Sequence, residues 1–433
     1  MKVVMKLATA IFLYTSSWVV VSTSAFATIP GGSLSPSPCK STVEKRTSRH
    51  MELFGSSFEL DNVEQPKKPI SSVASSKQRK KKLKTFARYL EIESWKRGPL
   101  ARDMEPVLRS IGEACKQINR IVQRAQTDDL YGVAEDANGN PLEETNVQGE
   151  VQQKLDVVCN AIMLKQFCGS TKGIIAAVAS EEEDSQRSCA NVMGDSAFAL
   201  GEYVAVFDPI DGSKNIDASL PVGTIFGLYK CTPGTKPTEE TFLQKGNEMV
   251  AAGYCLYSAT TILVLTMGSG VDGFTLDPDK GMFLHTHPDI RIPASGPIYS
   301  FNEANFHDYS SPVQRYLDAL KEGSSTTGMR SNARYMGALV ADVHNVLING
   351  GIFGYPGTRP NPNGKLRLLY EGNPMAMIME QAGGAASTGT GRILDVIPTE
   401  IHMRVPTFLG SIDNVYECDQ FHQYYDDDDE VDE

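Results

Sequence analysis

The chain has 433 residues, a formal charge of −12, 41% hydrophobic residues and 22% charged residues. These are globular proportions, which exclude wholesale disorder, collagen and coiled coil, and an acidic body without a dominating Lys/Arg face excludes nucleic acid as the main partner. The single basic cluster, Lys77 to Lys84, falls at a boundary, and seven of the last eight residues, Asp426 to Glu433, are acidic and read as a solvated tail.

In chain order, residues 1–25 place Lys2 and Lys6 before an apolar stretch from Leu7 to Val21 that Thr15, Ser16 and Ser17 interrupt, followed by small residues. This predicts a secretory signal, too short and broken for a membrane span, and no stable membrane association of the mature form. Residues 26–84 read as a structureless linker, with Ser33 to Arg49 rich in Ser, Thr, Lys and Arg and Glu44 its one acid. The junction Thr23-Ser24-Ala25-Phe26-Ala27 resembles the Ala-Ser-Ala-Phe-Ala-Pro signature of bipartite plastid presequences in algae with secondary plastids such as diatoms, with Thr23 and Thr28 as departures. That resemblance implies delivery to the plastid stroma; ordinary secretion is the rival. The eight cysteines form no Cys-x-x-Cys pair and several lie in apolar segments, so reduced core thiols are expected.

Glu105-Pro106 is expected to open a long amphipathic helix through Val107, Leu108, Ile111, Ala114, Ile118 and Val122, and a second helix runs from about Glu150 to Phe167. The period then changes to short β-rich runs: Ile174 to Ala179, Tyr203 to Phe207, Thr224 to Tyr229, Met249 to Leu256 and Thr261 to Thr266. Phe274 to Leu276 and Phe283 to His285 flank a turn and predict a hairpin. Helices follow near Pro312 to Lys321, Gly337 to Leu347 and Asn373 to Ala382, with strands near Ile352 and from Val405 to Leu409. The fold class is mixed α/β in layers, with domains at 85–290 and 291–422 and the tail from 423 to 433.

Acids follow two of the apolar strands: Glu181-Glu182-Glu183-Asp184 after the first, and Asp208-Pro209-Ile210-Asp211-Gly212-Ser213 after the second. Side chains at strand carboxyl ends line ligand crevices, and so many carboxylates in one place repel unless a cation sits among them. Oxygen donors alone indicate Mg2+, with Mn2+ as substitute, and Gly212 allows backbone N–H groups to approach an anion. Metal and backbone nest together describe a phosphate site. An acid run after one strand alone is more often a solvated loop; the second motif changes that weighing.

Asp-Pro-Ile-Asp-Gly-Ser after a strand resembles the metal motif of the lithium-sensitive phosphatase superfamily, whose sugar-phosphatase fold has two domains. Asn215-Ile216-Asp217, Pro221 to Phe226, Val340 to His344 and Asn363 to Glu371 narrow the resemblance to class I fructose-1,6-bisphosphatases, over about Met104 to Val415. The resemblance implies a homotetramer acting on fructose 1,6-bisphosphate. It implies metal ligands at Glu181, Glu182, Asp208, Asp211, Glu371 and the carbonyl of Ile210, with Glu182 and Asp156 orienting and deprotonating the attacking water. Asp211, Gly212 and Ser213 would hold the C1 phosphate. Asn302, Tyr335, Tyr355 and Lys365, with Arg334 from a neighbouring subunit, match the second phosphate site, and Arg367 is grouped with them. His285, His287 and His344 are assigned structural roles, since no zinc spacing includes them.

Three departures stand out: Asn305 replaces a Tyr of the second phosphate site, Glu150 replaces an Asp on the loop closing over the metals, and Lys214 replaces a Ser beside the phosphate nest. Rival readings are a sedoheptulose-1,7-bisphosphatase and a catalytically silent sugar-phosphate sensor. Family members that bind AMP hold its phosphate with Thr-Gly-Glu-[Leu or Met]-Thr at the start of the first long helix; here the stretch is Ala101-Arg102-Asp103-Met104-Glu105, and Glu202 and Lys230 replace two further cations. AMP insensitivity is therefore expected. Thioredoxin control is expected to be weak, because the loop from Cys231 to Asn247 has one cysteine and Cys255 lies in a strand.

Overall fold

The computed structural model describes residues 82–134, 153–171, 173–194, 201–325, 328 and 330–425. The signal, the transit segment, Glu150 and the acidic run at the carboxyl end lie outside these residues. From Lys82 onward the chain forms one compact unit.

Helix α1 spans Phe86–Arg97, capped by the Thr85 side chain, which accepts the Arg88 N–H. It buries Phe86, Tyr89 and Leu90, and also Glu93, whose carboxylate is held by Lys96 at 3.0 Å and Arg97 at 2.7 Å. Helix α2 spans Pro99–Val122, so it opens at Pro99 rather than at Pro106, which sits inside it. The expectation of a start at Glu105 fails because Pro99 already supplies a first-turn proline with preset φ. Glu105 is consequently in the second turn, paired with Arg109 at 2.7 Å. Helix α3 spans Lys154–Leu164, later than the expected start near Glu150, which puts Asp156 in its first turn.

The first sheet has eight strands in the order β2-β1-β3-β4-β5-β6-β7-β8. They are β1 Ile175–Ser180, β2 Arg187–Ser188, β3 Tyr203–Asp211, β4 Val222–Lys230, β5 Met249–Tyr257, β6 Thr261–Thr266, β7 Val271–Asp277 and β8 Met282–His287. Helix α4, Cys189–Met193, follows β2. Only β1 and β3 pair in parallel; the other neighbours are antiparallel, and β7–β8 is the expected hairpin. The second sheet runs β10-β9-β11-β13-β12, from β9 Ile298–Ser300, β10 Asn332–Ala333, β11 Gly351–Tyr355, β12 Ala385–Ser387 and β13 Thr407–Gly410. Its β10, β9 and β11 are parallel. Helices α5 Ser311–Glu322, α6 Leu339–Asn349, α7 Asn373–Gln381 and α8 Ile412–Tyr425 complete the fold, α8 running past the expected boundary at 422.

Apolar residues fill both faces of the first sheet. Val204, Ile225, Tyr229 and Tyr254 face Val340, Val343, Phe353 and Met375, while Phe207, Phe226 and Phe274 face Val107, Ile111 and Leu155. Burying each such side chain contributes about 1.5–3 kcal/mol. No described helix is long and apolar enough to cross a membrane. The cysteines correct the expectation in one respect: Cys115, Cys159, Cys231, Cys255 and Cys418 are buried thiols, but Cys168 and Cys189 form a disulfide with Cα atoms 4.9 Å apart. Spacing could not reveal it, because the π-type turn Lys165–Gly169 after α3 and the start of α4 meet only in three dimensions.

Candidate active site

The acids converge through pairing geometry. In the parallel β1–β3 ladder Ser180 lies opposite Phe207, and the Glu181 N–H donates to the Phe207 carbonyl at 3.1 Å. The next residues along, Glu181 and Asp208, therefore lie side by side, Glu181 leaving β1 while β3 runs on. Strand β3 does not end at Phe207 as expected but continues through Asp211 with a bulge: Asp208 opposes Ile225, whereas Asp211 opposes Gly223. Residues three apart on a regular strand face opposite sides, and one extra residue restores a common side. Asp208 and Asp211 owe their joint orientation to that bulge, with the Ile210 N–H held by the Asp208 carboxylate at 2.9 Å. Glu371 arrives from the π-type turn Leu368–Gly372, which packs on β3 and β4.

Asp208 is 2% exposed, Asp211 9% and Glu371 3%. Burial raises the Asp208 carboxyl well above the carboxylate range, reinforced by Glu181, Asp211 and Glu371. Burial likewise pushes Asp211 up to about 7, opposed by two backbone donors, and Glu371 up to about 8, opposed by Arg367 and reinforced by Glu181. Asp156 and Glu182 belong to the same neighbourhood: the fully buried Cys159 thiol is raised by burial and then by Asp156, Asp208 and Glu182. The Asp156 carboxylate also accepts the Gln153 N–H at 2.7 Å, a capping-box contact that fixes the helix start.

Among the described residues no three of these groups already surround a single point as cation ligands. Several of these carboxylates are held by donors or a cation within the protein, which offsets the repulsion among them. Asp211 accepts the Leu339 and Val340 N–H groups at 3.1 and 2.7 Å, at the start of α6. Arg367, grouped with the second phosphate site in the sequence reading, is 5% exposed, with its guanidinium 2.9 Å from Glu181 and its N–H 2.6 Å from Glu371. It acts as an internal counter-charge for the acids. The donor set, carboxylates and a carbonyl, fits a hard divalent cation that takes over the role these partners play.

Beyond β3, Gly212 has φ +75° and a Cβ there would stand 2.7 Å from the Ala338 Cβ, so only glycine fits the close approach to the α6 start. Ser213 opens the 3-10 turn that follows, and Asn215 in it donates to the carbonyls of Pro221 and Met336, both at 3.0 Å.

The second set of predicted residues gathers at the second sheet. Asn302 follows β9, Arg334 and Tyr335 follow β10, and Tyr355 ends β11, so adjacent parallel strands present them at one edge. Arg334 is exposed, and Tyr335 is raised to about 12 by burial and by Tyr355, Asp342 and Asp211. Lys365 is exposed. The Asn302 side chain accepts the Ala304 N–H at 3.2 Å, which leaves its amide hydrogens for other acceptors.

Several functional side chains escaped sequence reasoning. Asn160 donates to Glu183 at 3.0 Å and accepts from Ser180 at 2.8 Å, tying the acid turn to α3; an Asn on an otherwise apolar helix face was the available signal. Tyr309 donates to the Asn302 carbonyl at 2.8 Å and lies near Asn305, Tyr335 and Tyr355, bringing a phenol to the site where Asn305 lacks one. His285 is bound to Asp272 at 2.7 Å and His344 to Tyr254 at 2.7 Å, structural roles as expected. Clefts of about 820 and 500 Å³ elsewhere, beside Arg359 and beside His402, contain none of the acids.

Residues 84–288 match the family description "Fructose-1-6-bisphosphatase, N-terminal domain" and residues 292–423 match "Fructose-1-6-bisphosphatase, C-terminal domain". The chain is 45% identical over 338 residues to "Fructose-1,6-bisphosphatase, cytosolic" of Solanum tuberosum, covering 77% of this chain and 94% of that protein. It is 44% identical over 336 residues to "Fructose-1,6-bisphosphatase, chloroplastic" of Triticum aestivum, covering 75% and 78%. The solved holo form of the Leishmania major fructose-1,6-bisphosphatase superposes with a TM-score of 0.71 at 38% identity, covering 79% of this chain and all of that one. With both halves of the folded chain matched, this protein belongs to the fructose-1,6-bisphosphatase family.

Proposed function

We propose that this protein hydrolyses fructose 1,6-bisphosphate to fructose 6-phosphate and orthophosphate, with Mg2+ as cofactor and Mn2+ as substitute. The observation that carries the reading is the bulge in β3, which turns Asp208 and Asp211 to one side next to Glu181. Glu181, Glu182, Asp208, Asp211, Glu371 and the Ile210 carbonyl would hold the cation, which when bound polarises the phosphate and stabilises the leaving oxygen. Asp156 and Glu182 would accept the proton of the attacking water, and the N–H groups of Gly212 and Ser213 would bind the C1 phosphate. Asn302, Tyr335, Tyr355 and Lys365, with Arg334 of a neighbouring subunit in a homotetramer, would fix the 6-phosphate end.

The domain division at 85–290 and 291–422, plastid stromal location and a role in the Calvin cycle or plastid gluconeogenesis belong to the same proposal; the relatives include both chloroplastic and cytosolic enzymes. AMP insensitivity and weak thioredoxin control are also proposed. Cys231 supports the latter: it is buried, its thiol donates to the Gly201 carbonyl at 3.4 Å, and it is a free thiol. Comparing kcat/KM for fructose 1,6-bisphosphate and sedoheptulose 1,7-bisphosphate tests substrate choice. Preference for the fructose ester is expected; preference for the seven-carbon ester would overturn it.

A further inference from the structure

Asp342 lies in the first turn of α6 and is 1% exposed. One carboxylate oxygen accepts the Ser300 hydroxyl at 2.8 Å and the Met336 N–H at 2.9 Å; the other accepts the Gly337 N–H at 3.1 Å. Ser300 ends β9, two residues before Asn302, and Met336 directly follows Tyr335. A single buried charge thus joins the two segments that bring Asn302 and Tyr335 to the second phosphate site. The same helix start gives its Leu339 and Val340 N–H groups to Asp211. Asn215 reinforces the link from the other side through the Met336 carbonyl.

We infer that Asp342 is a positioning residue that sets the geometry of the site for the phosphate remote from the broken bond, and so controls the preference for a bisphosphate over a sugar monophosphate. The inference rests on the fructose-bisphosphatase reading. An anion buried beside an anion-binding site would be unfavourable for the ligand, yet here its partners Ser300, Met336 and Gly337 are donors that absorb the charge and orient the loop. Replacing one carboxylate oxygen by an amide group points a donor at the Gly337 N–H or at the Met336 pair, so the loop must shift even though size is unchanged.

The experiment compares wild type with Asp342→Asn and Ser300→Ala, with Mg2+ present, on fructose 1,6-bisphosphate and on fructose 1-phosphate. The expected result for D342N is a KM for the bisphosphate raised by about tenfold or more, with kcat within about threefold and the monophosphate kcat/KM within about threefold of wild type. S300A, which deletes one of these bonds and keeps the charge, should shift the same KM by a smaller factor. Equal loss on both substrates in a folded variant, or an unchanged bisphosphate KM in both variants, would overturn the inference. If D342N does not fold, S300A alone decides by the same ratio. Absence of bisphosphate hydrolysis by the wild type would instead overturn the underlying reading, and the inference with it.

Discussion

Replacing Glu371 by Gln should make the metal-free protein more stable at alkaline pH, even though it removes a proposed cation ligand. Glu371 is held at about 8 against an ordinary 4.5, mainly by burial and with Glu181 adding to the effect. The folded state therefore binds more protons than the unfolded state between those values, so unfolding free energy falls as pH rises from about 4.5 and the loss is complete above about 8. At about 1.4 kcal/mol per pH unit this amounts to roughly 5 kcal/mol, an upper value because Asp208, Asp211 and Glu181 share the charge. For roughly 350 folded residues that is up to about 7 °C in Tm. Thermal melts in EDTA between pH 5 and 8.5 check this: wild type should lose Tm through the window, and E371Q should track it at pH 5 and exceed it at pH 8.5. Saturating Mg2+ should narrow the gap at pH 8.5, because binding to the folded wild type adds about 2.7 kcal/mol at a hundredfold excess over Kd. A wild-type Tm that rises or stays level relative to E371Q in EDTA would refute the reasoning.

The Cys168–Cys189 disulfide closes a separation of 21 residues, so Cys189→Ser should cost roughly 3 kcal/mol, seen as a Tm lower by about 4 °C under oxidising conditions; an unchanged Tm would mean the bond does not form. Dithiothreitol should reproduce that loss in wild type without activating the enzyme, and a large activation abolished by Cys231→Ser would contradict weak redox control. Glu182→Gln should lower kcat by about 100-fold or more, and near-normal turnover would remove it from the proton-handling role. Lys365→Ala should act mainly on KM, its charge being remote from the broken bond; an unchanged KM would move the second phosphate elsewhere. AMP titrated at saturating Mg2+ should not inhibit, although Glu105 contributes less repulsion than its place in the sequence suggests because Arg109 neutralises it; cooperative inhibition at micromolar AMP would contradict this.

The strand block was legible because each run alternates with turn residues, and β6 spans Thr261–Thr266 as read. Helix α1 was not, because two of its buried positions are Glu93 and Ser94, which erases the apolar stripe after Leu90. Helix α8 hides for the same reason, burying Asn414, Glu417 and His422. The acids at 181–182 and 208–211 could be read as a site from their place after strands, but their alignment depends on a bulge that no residue spells out. Arg367, Asn160 and Asp342 act through partners far along the chain. Sequence shows such residues as polar groups in apolar surroundings and does not name what they hold.

The most direct test of the account follows phosphate release from fructose 1,6-bisphosphate by phosphorus NMR, using the folded chain from Lys82 onward and the full chain, with Mg2+ and with EDTA. The predicted result is Mg2+-dependent loss of the C1 phosphate alone, with fructose 6-phosphate and orthophosphate in equal amounts. Persistence of both phosphates with Mg2+ present, or release from C6, would contradict it.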